Sequence, residues 1–181
     1  MLKNTWNNKE RPMKNSEVLL SRADFWRYSY ITYAIDDVAP ASLTLQDRFG
    51  VNVNLIMLLC WCLQEGVILT LTQCQQLIEC VEDSEHQLKA HRHKRHAAKP
   101  KEDEVSARYD DLKAEELELE KAQQALILAQ FNQFDVSYLP KEAAVGGNVF
   151  NASIAAFINA YALREAPQAR LLLSAIIKAL P

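Results

Sequence analysis

Glycine and strand-forming patterns are scarce in this sequence. Only four of the 181 residues are glycine, whereas a loop that cradles phosphate needs glycines where its backbone amides approach the anion. Gly146 and Gly147 before Asn148 come nearest to such a loop, and two glycines alone are weak evidence for one. No run of alternating β-branched residues lies between turn residues. The sequence therefore disfavours a glycine-rich nucleotide-binding site and predicts an all-α fold.

Long hydrophobic segments are also absent. The longest mainly apolar stretch, Val53–Leu63, spans eleven residues with Asn54 as its one polar member, and a helix needs about 20 apolar residues to cross a bilayer. Met1–Met13 contains no apolar stretch of the kind found in a secretory signal. We therefore expect no membrane association and a cytoplasmic location. A net charge of −3 disfavours attraction of the whole chain to nucleic acid but is compatible with a local basic patch.

Motifs for metal binding and catalysis are incomplete. His93 and His96 share a helical face but offer only two ligands, and structural zinc takes four. A glutamate-rich stretch, with Glu115, Glu116, Glu118 and Glu120, lacks the histidine that ferritin-like carboxylate sites pair with each glutamate. The four cysteines lie in apolar helical patterns, where a free thiol behaves as a small hydrophobic group; they are Cys60, Cys62, Cys74 and Cys80. We expect no bound metal, no cofactor and no catalytic residue.

The pattern around Val53–Leu63 predicts a buried central helix. Gly50 suits the left-handed position that closes a preceding helix, and Asn52 can cap the next helix through the amide of Leu55 or its neighbour. Apolar residues occupy nearly every face of the run, so neighbouring elements should cover it on most sides. We predict a compact helical bundle around this helix.

Other start signals extend the bundle. Ser21 with Asp24 marks a first helix, and Asp36 or Asp37 can cap a second that ends at Phe49. Near the end of the chain, Asn148 and Pro167 mark the starts of C-terminal helices within residues 148–181, the first running through Leu163. Residues 1–15 are predicted to be a flexible arm, and residues 16–181 a single helical domain.

Between these parts the sequence predicts a long antiparallel hairpin over residues 70–131. Thr70 and Gln73 form a capping box at its start, and each arm would be about 40 Å long. Its tip lies near Pro100, and the second arm begins near Glu102. The predicted apolar seam consists of Leu71, Cys74, Ile78, Val81 and Leu88 on the first arm and Val105, Tyr109, Leu112, Leu119 and Leu126 on the second.

The hairpin tip is strongly basic. Glu85–Lys101 holds all four histidines and six lysines or arginines, which would suit an anionic partner. The candidate partner-binding residues, here called the basic tip, are Lys89, His91, Arg92, His93, Lys94, Arg95 and His96. The alternative is a solvated helix end that Glu102–Glu104 neutralise.

A candidate pocket lies at the start of the central helix. Asp47, Arg48, Asn52 and Asn54 place polar groups beside a core element, and such sites often bind ligands. The alternative is structural: Asn52 caps the helix, Asn54 satisfies first-turn amides, and Asp47 and Arg48 pair with each other or with the hairpin.

Several segments resemble an uncharacterised family of small helical bacterial proteins, mainly gammaproteobacterial. The matching pieces are Phe25-Trp26, Tyr33-Ala34, Leu45–Asp47, Gly50–Leu55, Trp61 and Ala114-Glu115 with Leu117 and Glu120. The resemblance implies a helical fold and a bacterial cytoplasmic setting, and it transfers no catalytic residue.

Together these patterns predict a non-enzymatic cytoplasmic interaction or adaptor protein whose partner is another protein. The alternative is a nucleic-acid- or ribosome-associated protein that binds RNA or another polyanion through the basic tip. The oligomeric state is left open.

Overall fold

The computed structural model describes residues 20–101, 106–138 and 150–181, and these ranges contain seven α-helices. The helices are α1 (Arg22–Tyr33), α2 (Val38–Phe49), α3 (Val53–Gln64), α4 (Leu71–Ala97), α5 (Ala107–Phe131), α6 (Phe150–Ala160) and α7 (Pro167–Ala179). A two-stranded antiparallel ribbon pairs β1 (Val67–Ile68) with β2 (Ser137–Tyr138). The prediction of an all-α fold is confirmed.

Helix α3 is the centre of the hydrophobic core. Its nine consecutive residues from Leu55 to Leu63 are all buried, and α1, α2, α5 and α6 pack around it. Each large apolar side chain that is fully buried contributes roughly 1.5–3 kcal/mol. The helix is therefore a main source of stability, as its sequence predicts.

The predicted caps around α3 are present. The Asn52 side-chain oxygen accepts a hydrogen bond from the Leu55 amide at 3.0 Å. Gly50 has a φ of 67° in the left-handed region, and its amide donates to the carbonyl of Gln46 at 3.1 Å. A residue with a side chain is strained in this conformation, so glycine fits the turn between α2 and α3. Residues close to the turn thus determine where α2 ends and where α3 begins.

One predicted cap is wrong. Asp37 lies at the start of α2, but its own φ is 68° and its side chain makes no capping hydrogen bond. Backbone bonds hold the turn instead, since the Val38 amide donates to the carbonyl of Ile35 at 3.1 Å.

Helices α4 and α5 form the predicted hairpin. The capping box of Thr70 and Gln73 is present, and the 27 residues of α4 correspond to about 40 Å. The second arm begins later than predicted, at Ala107, where the Ser106 hydroxyl accepts a hydrogen bond from the Tyr109 amide at 3.3 Å. Glu102–Val105, including the predicted neutralising glutamates, lie outside the described residues.

The seam of the hairpin is only partly as predicted. Cys74, Val81 and Leu88 are buried, but Leu71 and Leu126 are 41% and 47% exposed. Helix α5 also packs against α1 and α3, which turns a different face of the helix inward. That face carries Gln123, Gln124, Ile127, Leu128 and Phe131.

The base of the hairpin is tied to the bundle by polar contacts. The Leu69 amide donates to the Ser153 hydroxyl at 3.0 Å, and the Gln73 side chain donates to the carbonyl of Asp135 at 3.3 Å. These bonds flank the β-ribbon, so the hairpin leaves the core in a defined direction.

The C-terminal helices differ from the prediction at one end. Helix α6 ends at Ala160, earlier than Leu163, because Ala162 adopts a left-handed φ of 53° before a short 3-10 turn. Pro167 occupies the first turn of α7 as predicted, and α7 packs against α2 while α6 packs against α4. The predicted arm over residues 1–15 and the Asn148 cap lie outside the described residues.

Candidate functional site

The basic tip has two faces. Lys89, His93, Lys94 and His96 are exposed and form what we call the exposed basic face. His91, Arg92 and Arg95 instead point toward α5. The buried residues Val81 and Leu88 mark the inner face of α4, and continuing their three- and four-residue spacing leads to these three positions. The structure therefore divides the seven candidate residues between solvent and the hairpin interior.

Arg92 lies at the centre of an ion-pair cluster inside the hairpin. Its guanidinium nitrogens lie 3.2 Å from a carboxylate oxygen of Glu85, 3.5 Å from Glu116 and 3.6 Å from Glu120. The Arg92 side chain is 17% exposed, so these contacts are largely shielded from water. Removing this cation would leave Glu85 and Glu120 without their ion-pair partner.

Arg95 continues the cluster one turn further along α4. It donates hydrogen bonds to both oxygens of Glu116 and, at 3.4 Å, to the Tyr109 hydroxyl. The hydrogen bond to Glu116 raises the pKa of Arg95. The charges of Arg92 and Arg95 are thus matched within the hairpin.

His91 joins the two arms through the backbone. Its Nε2 lies 2.8 Å from the carbonyl oxygen of Leu112, and a carbonyl can only accept, so Nε2 carries a proton and donates. Its Nδ1 lies 3.9 Å from a carboxylate oxygen of Glu115. The ring is 8% exposed and holds α4 against α5.

The candidate pocket residues separate into two pairs. Asp47 and Arg48 are exposed at the end of α2, and the Arg48 guanidinium lies 5.8 Å from the ring centroid of Phe49. Asn52 and Asn54 point instead into the interior between α3 and the hairpin. None of the four lines the groove formed by Ile154 and Leu173 or the small cavity formed by Leu58 and Phe157.

Asn52 and Asn54 belong to a buried polar network that crosses three helices. Both donate to the side-chain oxygen of Gln123, at 2.9 Å and 2.8 Å, and Asn52 also donates to Glu85. Gln123 in turn donates to the Ser84 hydroxyl at 3.0 Å. Because Glu85 also binds Arg92, the network is continuous with the ion-pair cluster.

Gln124 extends the network to α1. Its amide nitrogen donates to the Ser29 hydroxyl at 3.1 Å and to the Asn54 side-chain oxygen at 2.9 Å. A buried polar group is costly unless it is hydrogen-bonded. These bonds therefore fix the alignment of α1, α3 and α5.

The interior glutamates occupy positions that a carboxylate metal site would use in a helical bundle. Glu116 and Glu120 face Glu85 across the hairpin, but the Arg92 guanidinium lies among them. Burial raises the pKa of Glu120, and the nearby Arg92 opposes part of that shift. No cluster of three or more histidine, cysteine, aspartate or glutamate side chains suited to a metal ion occurs in residues 20–101, 106–138 and 150–181.

The thiols are structural rather than reactive groups. Burial raises the pKa of Cys60 and Cys74 to about 12 and that of Cys80 to about 11. The thiolate is the nucleophilic form, so these side chains are protonated at neutral pH. All four cysteines are free.

Sequence reasoning missed two members of the network, Gln123 and Glu85. Glu85 is a polar residue between the seam positions Val81 and Leu88 of α4, and Gln123 follows Glu116 by seven residues on the inner face of α5. A polar residue that interrupts an otherwise apolar seam is the signal that identifies such a network.

The fold and site define an all-α protein whose helical hairpin has a polar, ion-paired interior. The chain belongs to a family described as protein of unknown function DUF2390, whose profile matches residues 24–127. Comparisons with curated proteins and with solved structures find no match. None of the helices in the described ranges combines the length and hydropathy that crossing a membrane requires.

Proposed function

We propose that this protein is a non-enzymatic cytoplasmic interaction protein that binds an acidic surface of a partner protein through the exposed basic face. The observation that supports this proposal most directly is that four basic-tip side chains at the end of the long hairpin are exposed to solvent, namely Lys89, His93, Lys94 and His96. Further exposed cations lie beside this face, namely Lys99, Lys101 and Arg108. Such a surface attracts acidic groups and steers association.

The interior of the hairpin supports this role by making the face rigid. Arg92 and Arg95 hold α4 to Glu116 and Glu120 of α5, on the side opposite the exposed face. Ordering flexible groups on binding costs free energy, so a surface that is already fixed binds more tightly. The two inward-facing arginines therefore support binding without contacting the partner.

The charge pattern favours a protein over nucleic acid. On the α5 side of the tip, Asp110, Asp111 and Glu115 are exposed. A phosphate backbone is uniformly negative and would be repelled by these carboxylates. A protein surface can carry acidic groups opposite the lysines and basic groups opposite the aspartates.

RNA binding is the second candidate, and one observation favours it. Tyr109 lies between two cations: Arg95 donates to its hydroxyl at 3.4 Å, and the Lys113 ammonium is 5.2 Å from its ring centroid. Aromatic rings beside cations are typical of surfaces that stack single-stranded bases.

The test compares two charge-reversed variants in pull-downs from cytoplasm, with quantification of bound proteins and RNA. Lys89→Glu with Lys94→Glu reverses the exposed basic face, and Arg22→Glu with Arg164→Glu makes the same charge change elsewhere. The amount of partner bound to the tip variant should be at least about tenfold lower than the amount bound to wild type, because like-charge contacts cost several kcal/mol. The control variant should retain it.

Ribonuclease treatment separates the two candidates. Binding that survives ribonuclease supports a protein partner, and binding that is lost supports RNA. A partner retained by the Lys89→Glu and Lys94→Glu variant would contradict both proposals.

A further inference from the structure

A second surface feature lies away from the hairpin tip, between α6 and α7. It is a groove of about 380 Å³ whose floor is formed by Ile154, Ile158, Leu173 and Ile177. Beside it on α7, Leu171 is 72% exposed. The groove lies outside residues 24–127, which match the family profile.

The floor of the groove has helical spacing. Ile154 and Ile158 are one turn apart on α6, and Leu173 and Ile177 are one turn apart on α7, so each pair is separated by about 6 Å along its helix axis. Leu173 is buried, whereas the three isoleucines are half-buried. Apolar side chains repeated at this spacing match the apolar stripe of a docked helix.

Among the described residues that line the groove, the two charged side chains are both positive. Arg170, Ser174 and Lys178 line it from α7, and both basic side chains are exposed. They are eight residues apart, or about 12 Å along the helix. Residues 150–181 contain three basic side chains and a single acidic one, Glu165, which does not line the groove.

From the apolar floor and the cationic rim, we propose that the groove binds an acidic amphipathic helix of a partner protein. The apolar stripe of that helix packs on the isoleucines, and two of its carboxylates, about two turns apart, pair with Arg170 and Lys178. The groove is open, whereas pockets for small molecules bury 70–90% of the ligand. A helix covers such an open surface more completely than a small molecule can.

This site is separate from the proposed basic-face function. The variants that test it do not alter Lys89 or Lys94, so failure of one proposal leaves the other intact.

The experiment uses the full chain and a fluorescein-labelled 18-residue designed helix. The probe carries leucines at helical i, i+4, i+7 and i+11 spacing and glutamates on both flanks of that stripe. A second probe has lysine in place of every glutamate. Fluorescence anisotropy measures the Kd of each probe for wild type, for Arg170→Glu with Lys178→Glu, and for the control Arg22→Glu with Arg108→Glu, whose two positions are exposed and lie outside α6 and α7.

We expect the acidic probe to bind wild type and the control variant with similar Kd values, and to bind the rim variant at least tenfold more weakly. The lysine probe should show the reverse preference. Ser174→Trp, which fills the groove without changing its charge, should also weaken the acidic probe, and unchanged thermal melting shows that each variant folds.

Three results would overturn the proposal. One is equal binding of the two probes to wild type, and another is binding of the acidic probe that the rim and Ser174→Trp variants leave unchanged. The third is binding to phosphatidylglycerol vesicles, weakened by the rim variant, with no binding of the acidic probe.

Discussion

The interior of this protein is apolar at its centre and polar along the hairpin. Around α3, Leu55–Leu63 form an unbroken buried run, whereas the hairpin interface contains Gln123, Glu85 and Arg92 beside Leu88. Apolar burial gives stability in proportion to area. Hydrogen bonds and ion pairs give little net stability, but breaking one partner leaves the others buried and unpaired.

This difference between the apolar centre and the polar hairpin interface explains how one chain combines stability with a fixed direction of the hairpin. The apolar centre tolerates changes of alignment as long as its volume is filled, whereas the hydrogen bonds between Asn52, Asn54 and Gln123 depend on how α3 and α5 are aligned. Asn52 and Asn54 connect the two regions, because they start α3 and bind Gln123. We infer that the centre supplies the free energy of folding and the network fixes the direction of the hairpin.

The largest effect should come from the apolar centre. Leu59→Ala removes a side chain with 0% exposure and should lower the free energy of unfolding by about 3–5 kcal/mol through lost burial and a cavity. Chemical denaturation measures the loss. Leu171→Ala is the matched control, since its 72% exposed side chain should change stability by no more than about 0.5 kcal/mol. If Leu59→Ala and Leu171→Ala lowered the free energy of unfolding by similar amounts, the apolar centre would not be the main source of stability.

Arg92→Met tests the polar region and should cost about 3 kcal/mol, the lower end for breaking a buried pair because the side chain is 17% exposed. Three glutamates then lose their shared cation. Lys94→Met removes the same charge from an exposed position two residues away and should change stability by less than about 0.5 kcal/mol. If both variants unfold at the same denaturant concentration, the cluster does not hold the hairpin.

Glu120→Gln should have the smallest effect on the free energy of unfolding. It should raise this free energy, whereas Leu59→Ala and Arg92→Met should lower it. Burial raises the pKa of Glu120, so the folded state binds its proton more tightly than the unfolded state and ionisation at neutral pH opposes folding. The variant should be more stable than wild type at pH 7, by less than about 1 kcal/mol. The difference should shrink as pH falls through the raised pKa, as measured by thermal melting. A variant less stable at pH 7 would show that the contact with Arg92 outweighs burial.

Features set by neighbouring residues are predictable from this sequence. The Asn52 cap, the Gly50 turn and the capping box of Thr70 and Gln73 each depend on residues within a few positions, and all three are present. The Asp37 cap fails because Asp37 has a left-handed φ of 68° instead of the extended backbone of a capping residue, and because Pro40, at the third helical position, has no amide hydrogen to donate.

Features that need distant partners are less predictable. Asn52 and Gln123 are 71 residues apart, and no local pattern pairs them. The inner face of α5 depends on α1 and α3 as well as α4, which is why Leu126 is exposed against the prediction. The two faces of the basic tip are predictable from the sequence, because continuing the seven-residue spacing of Val81 and Leu88 places Arg95 on the inner face.

The amide of Asn52 donates to the hydroxyl of Tyr161, 109 residues later, at 3.2 Å. During synthesis on a ribosome the α2–α3 turn, its local cap and the hairpin can form before Tyr161 has been added. The start of the central helix gains this last partner only when the C-terminal helices close over it. The junction whose cap depends on a residue three positions away is therefore also the one that gains a partner 109 residues later in synthesis.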